Sequence, residues 1–508
     1  MPHQLAALLG WVIGNGNAVN ALTTASVILL PVPIYRLAQR YFGTAAAGRA
    51  ALLAVVTPSI LLAGYAFGQL PTLFALDAGL FTADALAAFL RRGGAPRLIL
   101  VLSLAGVTVT AHHATFIFFF PPLLGTIFLA ELLAEKPGKD SARAASTRTR
   151  PRPGAKTATV PRLFARGAIA ATGLGLTAIL AILPFWVWHA TEYVSQVPID
   201  HQSRHSFLQD LVAQDLFFWA EHGVLVAVLV LAVPLLVRRA RQACPWYVLG
   251  AFLLIVGLGG TTPLPRILFG EQWNWLTYDR FSVWADIPLV LLLGAATARL
   301  LDEVPRPRHI AHVAWWTTFC FLGFYAAVDS FIPALVQTEP PPIDPRPIIA
   351  FLGHANNQRW RYLTLGMGDQ AALLNASADA GTLDGDYYTA RRLPILTQSG
   401  IAQIDFSLLW DPAARTLRQL LSDPRPYSLR WAFTRDPAYE QILAQAGWRE
   451  RTTLSDDVQV WEAAQPVPPT GPPPSTSILL GIWWGVAPLA MLLSVAPAWW
   501  WVRRSCER

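Results

Sequence analysis

Apolar residues run along this chain in long blocks, not in the short alternations of a soluble domain. Eleven blocks predict membrane-spanning helices, over roughly 17–39, 46–63, 71–90, 97–112, 115–134, 166–188, 216–237, 245–260, 277–300, 310–333 and 476–501. Several are short or interrupted. Pro58 lies in the second, Pro121 and Pro122 lie in the fifth, and Gly259 and Gly260 end the eighth. Such breaks are tolerated at membrane depth where the helix lines a cavity or packs on protein.

The pattern changes between the tenth block and the last. Region 340–465 is polar, with strand signals at WRYLTLG, AQIDF, YSLRWAFT and VQVWE and helix signals over Pro412 to Leu421 and Pro437 to Gly447. It predicts a small α/β domain of ~120 residues, enough for a core of its own. The plan is thus a transmembrane helical domain over 1–335, the α/β domain over 340–465, a proline-rich linker over 466–475, and a final transmembrane helix with its tail over 476–508. The prolines of QPVPPTGPPPSTS stiffen the tether before the last span.

Basic residues fall in every second loop. They are Arg36, Arg40 and Arg49, then Arg91, Arg92 and Arg97, then eight Lys or Arg in 135–165, then Arg238, Arg239 and Arg241, then Arg299, Arg306 and Arg308, then Arg503, Arg504 and Arg508. The positive-inside bias makes these loops cytoplasmic and the α/β domain extracytoplasmic. The chain is then a multi-pass protein of the cytoplasmic (inner) membrane, N-terminus out and C-terminus in. The first residues are not a signal peptide, so the expectation is that Met1 is not the natural start and that at least one helix and one outer loop precede it. A genuine N-out chain is the alternative. The 135–165 loop, rich in Pro, Ser, Thr and Arg, reads as a disordered cytoplasmic linker, or as an anchor for anionic lipid headgroups.

Composition narrows the class. Of 508 residues, 54% are hydrophobic and 14% charged, against about 25% charged in soluble domains. Lys plus Arg outnumber Asp plus Glu by 39 to 32, but the excess sits in loops and reports orientation, not nucleic-acid binding. Cys244, Cys320 and Cys506 cannot form a zinc ligand set. No P-loop, GxSxG or zincin motif is present, and no internal repeat signals a two-fold transporter.

The densest candidate chemistry is in TTPLPRILFGEQWNWLTYDRF, from Thr261 to Phe281, which joins two apolar blocks. An ionisable group facing lipid there costs roughly 2.5–3.5 kcal/mol, so a chain keeps one where it lines a polar cavity or pairs internally. Arg280, with Arg266 as a second cation, suits a phosphate, because the guanidinium fork binds oxygens bidentately. Asp279 and Arg280 point about 100° apart on a helix, so each needs a partner elsewhere. The plain structural alternative is an interfacial arginine reaching water, with Tyr278 beside it as a belt residue. Glu271 is a proton acceptor, a metal ligand or a solvated loop charge. His112 and His113, between the fourth and fifth blocks, suit a base, a phosphate donor or a metal ligand, or else an interfacial cap; adjacent histidines diverge on a helix, which weakens the metal reading. Asp77 and Asp84 share a face of the third block; Asp77 is costly there and would pair with an arginine or relay protons, whereas Asp84 reads as solvated. In the polar domain, Asp384, Asp386, Tyr387, Arg391 and Arg392 form a run that would read a sugar or an acceptor, or else a turn at Asp384–Gly385 before a helix.

Taken in order, YRLAQRYFGTAAAGRAALLAVVTPSILLAGYAFGQLPTLFAL, TAHHATFIF, GTTPLPRILFG, WLTYDRF, RYLTLGMGDQ, LDGDYYTARRLP and VQVWE resemble the bacterial membrane proteins grouped as the 6-pyruvoyl-tetrahydropterin-synthase-related membrane domain. Those resemble in turn the GT-C superfamily of multi-spanning glycosyltransferases. The resemblance covers nearly the whole chain. It implies a GT-C-like fold and a polyprenyl-phosphate-linked sugar donor used at the outer membrane face. It also implies a catalytic Asp or Glu in a first outer loop, a position this sequence does not contain, so the catalytic residue is unknown and a divalent metal, Mg or Mn, is only a possible cofactor. By analogy Arg280, Arg266, His112 and His113 contact the donor phosphate, with Tyr278, Asp279, Glu271 and Asp77 in support and Asp384, Asp386, Tyr387 and Arg391 on the acceptor side. A transporter or flippase of lipid-linked glycans, and a non-catalytic membrane scaffold, are the competing functions. The partners expected are the polyprenyl-linked sugar and the bilayer, with no nucleic acid.

Overall fold

A computed structural model of the chain describes residues 1–134, 159–192, 194–236, 240–303, 308–335, 340–385, 391–471 and 477–507. Most of the basic linker, Asp386 and Tyr387, and part of the proline-rich tether lie outside them.

Each of the eleven apolar blocks is mostly helical over its described residues. Among the described residues, eight helices are long and apolar enough to cross a membrane: Asn15–Phe42, Leu70–Arg92, Thr115–Ala134, Val160–Val187, Leu211–Val230, Asp279–Leu301, His309–Ser330 and Ile478–Ser505. Thr44–Val55 and Pro58–Ala66 meet at a 49° bend and make one more if they count as a single span. Ala95–Ala111 and Gln242–Gly257 are apolar but shorter. The expected eleven spans are therefore eight or nine by length and composition. The short blocks have definite ends: Gly94 (φ 95) starts one and extended His112 stops it, while the other runs into the turn at Gly259 (φ 52). Residues Pro2–Ile13, outside the eleven blocks, form a further helix that turns at Gly14 (φ 83). The chain is a multi-pass membrane protein.

The elements used below are α1 (Pro2–Ile13), α2 (Asn15–Phe42), α3 (Thr44–Val55), α4 (Pro58–Ala66), α5 (Leu70–Arg92), α6 (Ala95–Ala111), α7 (Thr115–Ala134), α8 (Val160–Glu192), α9 (Leu211–Val230), α10 (Ala240–Gly257), α11 (Asp279–Glu303) and α12 (Arg308–Leu335). Helix α11 is the hub, with its apolar window 94% buried. Small residues let its backbone approach α3: a Cβ on Gly294 would lie 2.7 Å from the Ala50 Cβ and 2.8 Å from the Ala46 carbonyl.

One end of the bundle is tied by ion pairs. Arg36 Nε and Arg40 NH2 reach the two oxygens of Asp84 at 2.7 and 2.5 Å. Arg91 pairs with Glu131, whose second oxygen accepts from the Tyr41 hydroxyl at 2.9 Å. Asp84 is thus not solvated: it is buried and holds two arginines from α2.

The polar region folds around a four-stranded sheet of order β1-β2-β4-β3, with β1 Arg361–Leu365, β2 Leu429–Thr434, β3 Arg449–Thr453 and β4 Gln459–Glu462. β1 runs parallel to β2, and β4 is antiparallel to β2 and β3. Helices α13 (Arg346–Gly353), α14 (Ala371–Ser377), α15 (Arg415–Ser422) and α16 (Pro437–Gln445) pack around it, before α17 (Ile478–Glu507). AQIDF is not a strand. Asp405 instead spends its carboxylate on the amides of Met367 and Gly368, at 2.9 and 2.6 Å, bracing the loop after β1. The unexpected strand is RERTT, exposed along its length, which shows no apolar alternation to read.

Candidate functional site

At the opposite end of α5 from the arginine network, about 20 Å away at 1.5 Å per residue, four segments converge. They are the start of α5 at Gln69, the end of α6 at His112, the start of α11 at Asp279 and Arg280, and the loop 194–210 at His201. Helix ends leave backbone groups unsatisfied, so polar side chains gather there.

Asp279 Oδ2 accepts from Gln69 Nε2 at 2.7 Å. Its Oδ1 is buried without a well-formed hydrogen bond among the described residues, beside the Thr277 hydroxyl. Arg280 NH1 donates to that hydroxyl at 3.0 Å, while Arg280 Nε is buried with no partner among the described residues. Part of its fork is therefore uncommitted.

The two histidines are oriented alike. His112 Nδ1 lies 2.8 Å from Thr115 Oγ1 and accepts the Thr115 amide at 3.4 Å. His201 Nδ1 lies 2.8 Å from Ser203 Oγ and accepts the Ser203 amide at 3.2 Å. With Nδ1 accepting a backbone N–H, a neutral ring carries its proton on Nε2, so each presents an N–H edge. Asp279 and Arg280 lie within electrostatic reach of both rings. Burial is the main cause holding the His201 imidazole below its usual range, with Arg204 and Arg280 acting the same way and Asp279 and Asp200 against it.

The loop carrying His201 is locked in place. Ser203 Oγ accepts the Tyr278 amide at 2.9 Å, and Arg204 Nε donates to the Leu276 carbonyl at 2.9 Å. Gly259 and Gly260 let α10 end against this loop: a Cβ on them would lie 2.0 Å from the Ser203 carbonyl oxygen and 2.1 Å from that of Arg204. The other end of the loop joins the sheet region, where Val197 N donates to the Thr397 carbonyl at 2.8 Å and Gln398 Nε2 to that of Ser195 at 2.6 Å.

The structure brings together Arg280, Asp279 and His112 from the sequence reading. His113 turns its ring edge to Phe185 on α8, 5.8 Å away. Arg266 is exposed and stacks over Trp273 at 5.0 Å, and Glu271 is exposed on the same short loop. Tyr278 is no belt residue: it is fully buried against Trp273 and Phe281 at 4.6 and 5.8 Å. Asp77 is buried in α5 and forms no ion pair among the described residues, so the arginine expected for it is not there. In the sheet region, Asp384 and Arg391 are buried on each other. Asp384 Oδ2 also accepts the Ile404 amide at 2.9 Å, and Arg391 also donates to the carbonyls of Ile401 and Ala402. This clamp ties Asp384 and Arg391 to the segment Ile401–Ile404.

Sequence reasoning missed Gln69 and His201, which sit in loops without periodicity, and Ser203, whose role is a backbone contact. It also missed Glu221, His222, Asp286 and Asp329, buried inside apolar blocks. Their charge within those blocks was the available signal. Among the described residues no group of three or more His, Cys, Asp or Glu is placed to hold a metal ion. The described residues thus do not fit a divalent metal.

No protein-family model and no curated protein matches the chain. Among solved structures, the crystal structure of the Archaeoglobus fulgidus oligosaccharyltransferase, tethered by a disulfide bond to an acceptor peptide containing the NVT sequon, is similar over 91% of this chain, with 11% identity and a TM-score of 0.47. The chain spans 65% of the length of that protein.

Proposed function

We propose that this chain handles a polyprenyl-phosphate-linked sugar at the outer membrane face and transfers the sugar to an acceptor hydroxyl. The observation that carries the reading is the partly uncommitted Arg280 fork beside two histidines whose Nε2–H edges are set by backbone amides. Such donors, held at the end of a membrane bundle, match a lipid phosphate better than a soluble anion. The acceptor oxygen would bond to the anomeric carbon as the bond from that carbon to the phosphate oxygen breaks. Arg280, His112 and His201 would stabilise the charge on the departing phosphate. The hydroxyl proton would pass to a carboxylate, and Asp279, with one oxygen free of a well-formed hydrogen bond, is the one this site offers.

The test is binding of polyprenyl monophosphate to the full chain in liposomes, followed by transfer from a radiolabelled polyprenyl-phosphate sugar. Arg280→Ala should weaken binding by about tenfold or more, the worth of one charge-assisted contact. Undiminished binding in a folded variant would remove Arg280 from this role.

A second reading is favoured by the buried carboxylates Glu221, Asp286 and Asp329, which suit a proton-coupled flippase of lipid-linked glycans. Movement of a fluorescent polyprenyl phosphate across proteoliposomes, driven by a pH gradient and without sugar transfer, would select it.

A further inference from the structure

Helix α11 carries a polar stripe into the bundle. Asp279, Ser282 and Asp286 stand at i, i+3 and i+7, on one face and spanning about 10 Å of axis. Two interrupted elements meet that face. Glu221 and His222 come from the π-helical turn Asp215–Gly223 of α9, and Ser59 comes from the first turn of α4, just past its bend from α3. π-Turns of this kind often mark functional positions.

The contacts are specific. Ser59 Oγ donates to Asp286 Oδ2 at 2.5 Å. His222 Nδ1 lies 3.9 Å from Asp286 Oδ1. Ser282, beside Glu221, points its hydroxyl at the Phe217 carbonyl at 3.5 Å. Glu221 is within electrostatic reach of Asp279, Asp286 and Asp329. From α12, Asp329 and Tyr325 face this region together with Asp215 of α9. Glu221, His222 and Asp286 are all at most 1% exposed. Among the described residues, both Glu221 oxygens, both His222 nitrogens and Asp286 Oδ1 lack a well-formed hydrogen bond, and the one ion-pair contact of these residues is His222 with Asp286. Uncompensated buried charge is costly, and a chain keeps such groups where something mobile neutralises them.

We propose that this stripe is a proton path: a proton taken up at Asp279 passes to Glu221 and is held between Asp286 and His222. The step is a bare proton transfer from one carboxyl to the next and needs no co-reactant. A proton fits better than a metal ion, because among the described residues no three ligand-type side chains converge. The proposal rests on the transferase reading only for the source of the proton, the acceptor hydroxyl.

The experiment is infrared difference spectroscopy of the full chain in liposomes, across a pH step in H2O and D2O. The expected result is a carboxylic-acid band that shifts on deuteration. Glu221→Gln or Asp286→Asn should delete a component of it. Ser59→Ala should shift the Asp286 component without removing it, which keeps the proposal open to refutation if the charge variants do not fold. Asp77→Asn, outside the stripe, should leave these components alone. Spectra unchanged in all three stripe variants, or a band displaced by sodium at fixed pH, would overturn the proton path. Polyprenyl monophosphate binding is read separately, so its absence beside an intact band would count against the proposed function alone.

Discussion

The two ends of the helical bundle use charge in opposite ways. At the arginine end two buried carboxylates each find a cation: Asp84 takes Arg36 and Arg40, and Glu131 takes Arg91 with the Tyr41 hydroxyl. At the site end, Asp279 is held by the neutral amide of Gln69 and Arg280 by the neutral hydroxyl of Thr277. Complete pairing consumes the hydrogen-bonding capacity of a charged group and leaves structure. Partial pairing by neutral groups leaves capacity facing whatever enters. The difference separates charges that hold the fold from charges available for chemistry, and it can be broken by substitutions whose costs fall in a set order.

The largest loss of stability is expected in the sheet region, where Asp384 and Arg391 are about 2% and 5% exposed and bonded on several sides. Asp384→Ala strands a buried guanidinium and should cost about 3–5 kcal/mol, seen as early thermal unfolding of the sheet region by tryptophan fluorescence. A variant of near-normal stability would mean that the pair faces solvent in the working protein. Next comes Asp84→Ala, which unpairs two arginines at once. Arg36 is half exposed and recovers water, so the expected cost is smaller, about 2–3 kcal/mol, with binding of polyprenyl phosphate by the surviving folded fraction unchanged.

Gly260→Ala tests the join between site and scaffold. The added methyl would meet the backbone of Arg204 and His205, and backbone cannot swing aside as a side chain does. A cost of about 1–3 kcal/mol is expected, together with loss of His201 from its position. Protease sensitivity of the loop 194–210 should rise in this variant, and an unchanged digestion pattern would contradict the packing. Arg280→Ala comes next in the series. Its one hydrogen bond is to a threonine, so stability should move by less than about 1 kcal/mol while polyprenyl phosphate binding falls. A large drop in the unfolding midpoint would move Arg280 to the structural class.

How much of this was legible in the sequence follows the same division. Hydropathy reports desolvation, so it located each helical block, and it singled out Asp279 and Arg280 because charge at the edge of an apolar run is anomalous. It could not show that Asp84 and Asp384 are neutralised, since their partners Arg36, Arg40 and Arg391 meet them only by tertiary contact. It misread AQIDF, where Asp405 serves the loop after β1 although its apolar neighbours mimic a strand. It passed over RERTT, because an exposed edge strand has no buried face to create alternation. The polar stripe of α11 was available as spacing, at 279, 282 and 286, but Glu221, His222 and Ser59 join it only through the turn in α9 and the bend after α3.

The finest contrast lies within the loop 194–210, between a histidine drawn into the site and one at the loop's partly exposed rim. Burial holds His201 below its usual range, whereas His205, with Nδ1 2.6 Å from Asp210 and Nε2 3.4 Å from Asp200, is held above the ordinary 6.5, chiefly by the hydrogen bond to Asp210. A folded value above the unfolded one means the imidazolium contributes fully below 6.5, and the contribution is lost as pH rises through the folded value. Asp210 has the opposite sign. The Ala213 amide first, and His205 next, hold its carboxyl below the ordinary 3.8, so its contribution is present above 3.8 and lost as pH falls through the folded value. Both act together between those two values. Amide exchange of residues 205–213, corrected for its intrinsic pH dependence, should show greatest protection in that window and less at alkaline pH. His205→Gln should flatten the alkaline side. Because both groups are partly open to solvent the effect is the smallest of the series, and protection that persists unchanged at alkaline pH would show that the Ser203 and Arg204 contacts suffice to hold the loop.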